Sequence, residues 1–185
     1  MDHLSSYNPS RYYWDSETQS YITENYTNSG DWALVNTEFS GHSFTVSVDI
    51  MPEERDTGDI CFGLFDENKN SNSYFGEKAY VIIGGYTPIV YLLAVSQSGT
   101  VCTSPLGTME PFGWHSATIT YDAVTEIISI DVINNTQSIL SYSGVLDGGF
   151  SADLDYLGVS LNGAWVESGR FQKAIIDNVY LEFEL

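Results

Sequence analysis

The chain has 185 residues, 43% of them hydrophobic, which is enough for one sizeable core and argues against wholesale disorder. Its 25 acidic residues against six Lys and Arg give a net charge of −19, a surface that repels phosphate backbones and anionic lipid and so excludes nucleic acid as a partner. No window reaches the roughly eighteen consecutive apolar residues of a membrane-spanning helix, so no membrane insertion is expected.

Residues 1–30 carry Tyr12-Tyr13-Trp14-Asp15 and then a Ser/Thr/Asn-rich passage without sustained period. They read as an N-terminal segment with one edge strand, packed on a single domain that covers 31–185. Asp31 to Phe39 is a strand, and Ser40-Gly41-His42 turns into Ser43–Met51. There Phe44, Val46, Val48 and Ile50 alternate with Thr45, Ser47 and Asp49, the cleanest period-two signal in the chain. Pro52 is expected to end that strand, and Glu53 to Gly58 forms an acidic turn. Asp59–Asp66 is the next strand, with Ile60, Phe62 and Leu64 on one face, and Asn68–Gly76 is a polar loop. Short strands follow at Ala79–Gly84, Ile89–Val95 and Thr100–Thr103. Trp114–Asp122 and Glu126–Ile133 are two alternating runs joined by a turn, which marks a hairpin. A further short strand ends at Asp147-Gly148-Gly149, Leu154–Leu161 follows, and Ile175–Leu185 closes the chain with Val179, Leu181 and Phe183 facing one way.

Roughly ten to twelve short strands with no helical stretch make the chain all-β. Alternating apolar and polar faces call for antiparallel sheets with one wet side, and two such sheets packed face to face supply one core. The expected architecture is a two-sheet antiparallel β-sandwich of the jelly-roll kind. Cys61 and Cys102 each lie in an apolar run, have no Cys or His at metal-ligand spacing, and fit either one disulfide or two free thiols. Two Asn-x-Thr sequons begin at Asn25 and Asn134.

Three pieces carry a resemblance: Phe44–Ile50 ahead of Gly58–Asp66, the Trp114-to-Asp122 hairpin with its return run, and the closing Ile176-Asp177-Asn178-Val179. Together they resemble the concanavalin A-like lectin and glucanase group, laminin G-like domains included. The closing piece also occurs in galactose-binding-like modules, a competing sandwich topology. The resemblance implies an extracellular or cell-surface domain that binds carbohydrate or another surface ligand, with calcium pinning its loops.

Enzymes of that group place catalytic carboxylates on one strand as Glu-x-Asp-x-x-Glu, and related lyases use an Arg/His/Tyr groove. Neither pattern is present. The nearest acid pairs, Asp153/Asp155 and Glu182/Glu184, read as turn chemistry and a solvated edge, and His115 reads as a packed or surface histidine. The expectation is therefore a non-catalytic binding module, with a glycan-active enzyme or a structural adhesion module as alternatives.

A sugar-binding surface needs a flat aromatic to stack on a pyranose and nearby Asn or Asp to bond its hydroxyls. Tyr13 and Trp14 beside Asp15, Tyr74 and Phe75 in the polar loop, and Trp165 after Asn162-Gly163 have that mix. Calcium needs six to eight oxygens. Partial sets are Asp56 with Asp59, and Asp66 with Asn68 and Asn70; Asp177, expected on the apolar side of the last strand, is a further ligand or a hydrogen-bonded structural carboxylate.

Overall fold

The computed structural model describes residues 5–6, 12–25, 31–37, 41–55, 59–66, 76–84, 90–103, 113–151, 154–162 and 172–184. They contain fourteen strands and no helix: β1 Ser5–Ser6, β2 Tyr12–Asp15, β3 Ser20–Asn25, β4 Asp31–Asn36, β5 Ser43–Arg55, β6 Asp59–Phe65, β7 Lys78–Gly84, β8 Val90–Val95, β9 Thr100–Cys102, β10 His115–Asp122, β11 Ile127–Asn134, β12 Gln137–Val145, β13 Tyr156–Asn162 and β14 Gln172–Glu184. A first sheet runs β1-β4-β13-β6-β7-β8-β9 and a second runs β12-β11-β10-β5-β14-β3-β2, every pairing antiparallel.

The core lies between the sheets, and the period of two decides who enters it. From the second sheet come Phe44, Val46, Val48 and Ile50 of β5, Ala117, Ile119 and Tyr121 of β10, and Ile128, Ile130 and Val132 of β11. Ile60, Phe62 and Leu64 of β6, Ala79, Val81 and Ile83 of β7, and Leu157 and Val159 of β13 answer them from the first. Phe44, Tyr121 and Phe150 form an aromatic knot, with ring centroids 4.8 to 6.1 Å apart.

Three expectations are corrected. The N-terminal segment supplies three strands rather than one: β1 pairs with β4, and the β2–β3 hairpin adds to β14. Asp15 shapes that hairpin's turn by accepting the Glu17 N–H at 2.9 Å and the Thr18 hydroxyl at 2.8 Å. Pro52 does not stop β5, which continues to Arg55. Proline costs a ladder hydrogen bond, but β10 has already ended opposite Ile50, and β14 shifts register between Lys173 and Ala174, which pairs with Pro52. The third concerns Asp177. β14 bulges between Asp177 and Tyr180, with Asn178 at φ 49°, so the apolar phase shifts there. Ile176 and Val179 both pack on the core, while Asp177 stands opposite Asp49 on the outer face.

Cys61 and Cys102 are not in a disulfide. Two strands, β7 and β8, separate β6 from β9, a gap of about 14 Å at the usual strand spacing and far beyond disulfide reach.

Candidate functional site

The outer face of the first sheet departs from the wet-side expectation. On β6 and β7 the alternate, outward positions are Cys61, Phe65, Tyr80 and Ile82, and these form a second buried cluster. Tyr91, Leu93 and Tyr156, half-buried, pack on its margin from β8 and β13. The registers place these side chains. Tyr156, Phe65, Lys78 and Val95 stand in one row across four strands; Gly158, Gly63, Tyr80 and Leu93 in the next; Ser160, Cys61, Ile82 and Tyr91 in the third. Phe65 and Tyr80 stack at 5.2 Å with their planes 21° apart.

Two glycines stand side by side in the middle row, so two adjacent strands present bare backbone there. At Gly63 no side chain fits. A Cβ would lie 2.1 Å from the Ala79 carbonyl oxygen and 2.9 Å from Tyr80 Cβ. The result is a buried aromatic cluster around a strip without side chains, with Tyr91 and Tyr156 half-buried at its margin.

One cation lies within it. Lys78 is only 2% exposed, and burial pushes its ammonium down from the ordinary lysine range, with the Asp66 carboxylate and Cys61 acting in the opposite sense. Asp66 also holds backbone: its carboxylate accepts the Glu77 N–H at 2.8 Å, and its own N–H bonds the Glu77 carbonyl at 3.1 Å. The ends of the 67–76 connection are clamped together by that exchange. Glu77, itself buried, accepts from the Ser151 N–H and hydroxyl and from the Gln97 N–H, tying three connections into one knot.

Those residues singled out in the sequence that the structure describes do not gather in one place. Trp165, Tyr74, Phe75, Asp56, Asn68 and Asn70 lie outside the described residues. Asn162 is the last residue of β13, and its backbone partner on β6 is Asp59, so one expected sugar contact and one expected metal ligand share an end of the first sheet. Asp66 follows the other end of β6, about 20 Å along the strand. Tyr13 and Trp14 are on β2, at the edge of the second sheet, 40% and 37% exposed. Asp177 is on the second sheet too, where it accepts the Asn178 N–H at 2.7 Å while Asn178 donates to Asp49 at 2.7 Å. Of the expected calcium ligands, Asp59, Asp66 and Asp177 are described and stand at three separate places, with Asp66 and Asp177 engaged in structural hydrogen bonds. Among the described residues no three His, Cys, Asp or Glu side chains gather to hold a metal.

Sequence reasoning missed the aromatic face itself. The signal was the absence of alternation in Lys78-Ala79-Tyr80-Val81-Ile82-Ile83, since a strand apolar on both sides is covered on both sides.

The outer face of the second sheet differs in chemistry, carrying Ser, Thr and acids. At one end a cleft of about 280 Å³ is lined by Ser43, Thr45, Thr120, Asp122, Ser129 and Glu184, among others. Asp122 is held below the usual carboxylate range by the Val124 and Thr125 N–H groups it accepts in the hairpin turn. Glu182, paired with the Tyr180 hydroxyl, and Glu184 are exposed on the same face. His115 is inward and fully buried, bonded to Asn134 at 2.7 Å.

No family model matches the sequence, and no curated protein matches it either. Solved structures do match. An alginate lyase from Klebsiella pneumoniae aligns with 96% of this chain and 86% of its own, at a TM-score of 0.62 and 9% identity. Basic winged bean lectin, solved with Tn-antigen, aligns with 97% of this chain and 94% of its own, at 0.59 and 13%. A sialidase gives 0.64 at 11% identity over 97% of this chain, which spans only 17% of that protein. At such identities the likeness speaks to architecture alone, and on that the topology and the neighbours agree: the chain is a concanavalin A-like antiparallel β-sandwich.

Proposed function

We propose that this domain binds carbohydrate without cleaving it, with the ligand lying on the outer face of the first sheet. The observation that carries the reading is the aromatic cluster there, with Tyr91 and Tyr156 half-buried at its margin. A pyranose ring stacks its apolar face on such rings, and tyrosine hydroxyls meet its hydroxyls. The fold neighbours support carbohydrate as the ligand class, because a lectin and carbohydrate-active enzymes share this sandwich. Binding rather than hydrolysis is favoured by the side chains present. A glycosidase needs two facing carboxylates, whereas the described side chains that β6, β7, β8 and the start of β13 turn to this face, Cys61, Phe65, Lys78, Tyr80, Ile82, Tyr91, Leu93, Val95 and Tyr156, include none. The same reading places the domain outside the cell or at its surface, where such ligands are met.

A glycan array, probed with calcium and again with chelator, tests this. Saturable binding to one glycan class, weakened at least tenfold by Tyr91→Ala or Tyr156→Ala, supports the reading, and loss on chelation would bring in a metal. A blank array under both conditions refutes it. One feature favours the alternative of glycan cleavage: Lys78, its ammonium pushed down by burial, shares this face with three tyrosines, and both types carry protons. Growth of ultraviolet absorbance from unsaturated sugar ends, on incubation with uronic-acid polymers, would decide for that alternative.

A further inference from the structure

The two sheets have four edges, and they are not alike. Among the described residues β1 has two, β9 three and β2 four, short edges of the kind that give a stray strand little to pair with. β12 has nine. A bulge at Ile139, where β11 steps from Val132 to Ile133 while β12 runs from Leu140 to Ser138, interrupts its start and leaves Leu140–Val145 regular. Natural edges that long are normally blunted by charge or proline. Gln137-Ser138-Ile139-Leu140-Ser141-Tyr142-Ser143-Gly144-Val145 contains neither, in a chain with 25 acidic residues. Among the described residues the strand pairs with β11 on one side only, and most of its side chains are exposed, Val145 at 56%. About half of its backbone N–H and C=O groups therefore point away from β11 into solvent.

We propose that β12 is a subunit interface, pairing antiparallel with β12 of a second copy of this chain to join two second sheets across a two-fold axis. Antiparallel self-pairing is closed and self-complementary, so it yields a dimer rather than a fibre. Charge selects the place: two copies at −19 each repel almost everywhere, and β12 is a strip where backbones meet with no carboxylate facing another. The faces fix the register. Directly opposite residues share a face, and β12 sends Leu140 and Tyr142 toward the core side with Ser141, Ser143 and Val145 outward. The regular segment Leu140–Val145 centres the axis on Tyr142 or Ser143, which sets Ser141 opposite Ser143 of the second copy in the first case and Ser143 opposite itself in the second.

Sedimentation equilibrium from micromolar to hundreds of micromolar, at low and high salt, tests this on the whole chain. The expected mass is twice 20.5 kDa, with dimer favoured by salt as the like charges are screened. Ser141→Glu/Ser143→Glu places carboxylates against each other at the axis and should return the mass to 20.5 kDa with an unchanged circular dichroism spectrum. Val124→Glu, in the exposed β10–β11 turn, should leave the dimer intact. Slower amide exchange at Tyr142–Val145 in wild type than in the double variant would place the contact on this edge. A mass of 20.5 kDa throughout, or a dimer that survives the double substitution, overturns the proposal.

Discussion

Replacing Glu77 by alanine tests the claim that one buried carboxylate ties the connections at this end of the sandwich. Glu77 is 5% exposed, and its two oxygens accept the Ser151 N–H at 3.0 and 3.1 Å, the Ser151 hydroxyl at 3.0 Å and the Gln97 N–H at 3.1 Å. Alanine removes every acceptor at once and leaves two backbone donors and a hydroxyl without partners. An orphaned buried donor costs about 1–3 kcal/mol, but Ser151 and Gln97 are themselves exposed, so water recovers part of the loss. A net destabilisation of roughly 2–4 kcal/mol follows. For a domain of this size that is a fall in Tm of about 4–16 °C. Urea and thermal unfolding followed by circular dichroism measure it, with Glu77→Gln, which keeps one good acceptor, falling between alanine and wild type. A loss below about 1 kcal/mol for alanine would refute the reasoning, because surface substitutions away from such features cost no more than that.

Other outcomes follow from the same physics. Tyr21 is buried and its hydroxyl is pushed up to about 12 from 10.0, so its contribution to stability is complete below pH 10 and is lost as pH rises through 12; Tyr21→Phe should flatten alkaline unfolding in that window. Asn134 opens a sequon yet is 6% exposed and held by His115, so mass spectrometry of protein made in a glycosylating host should find it unmodified, and Asn134→Ala should cost about 1–3 kcal/mol in urea titration. Gly63→Ala should fail to fold or lose more than about 4 kcal/mol, since its Cβ would overlap the Ala79 carbonyl. Gly41→Ala has open space and only a φ of 75° to oppose it, so about 1 kcal/mol is expected from the same assay.

Much of the sandwich was legible because β5, β10 and β11 alternate strictly, and each turned the expected face inward. The departures share a cause: neighbours decided what local pattern could not. Pro52 stays in a strand because β10 ends before it, and Asp177 faces outward because β14 bulges. The hairpin of β2 and β3 carries too weak a period to show itself without β14 beside it. The aromatic face was hidden for a similar reason, as Cys61, Phe65, Tyr80 and Ile82 come together only through cross-strand register. Asn162 and Asp59, chosen for different roles, proved to be opposite one another, a pairing that no spacing along the chain reveals.

The central claim is where the ligand lies, and backbone amide chemical-shift mapping during titration with the array's best glycan tests it most directly. The account expects the largest changes on β6, β7, β8 and β13, around Gly63, Tyr91 and Tyr156, with saturation at one affinity. Changes confined to β5, β10 and β14 of the second sheet, with the first sheet silent, would contradict it.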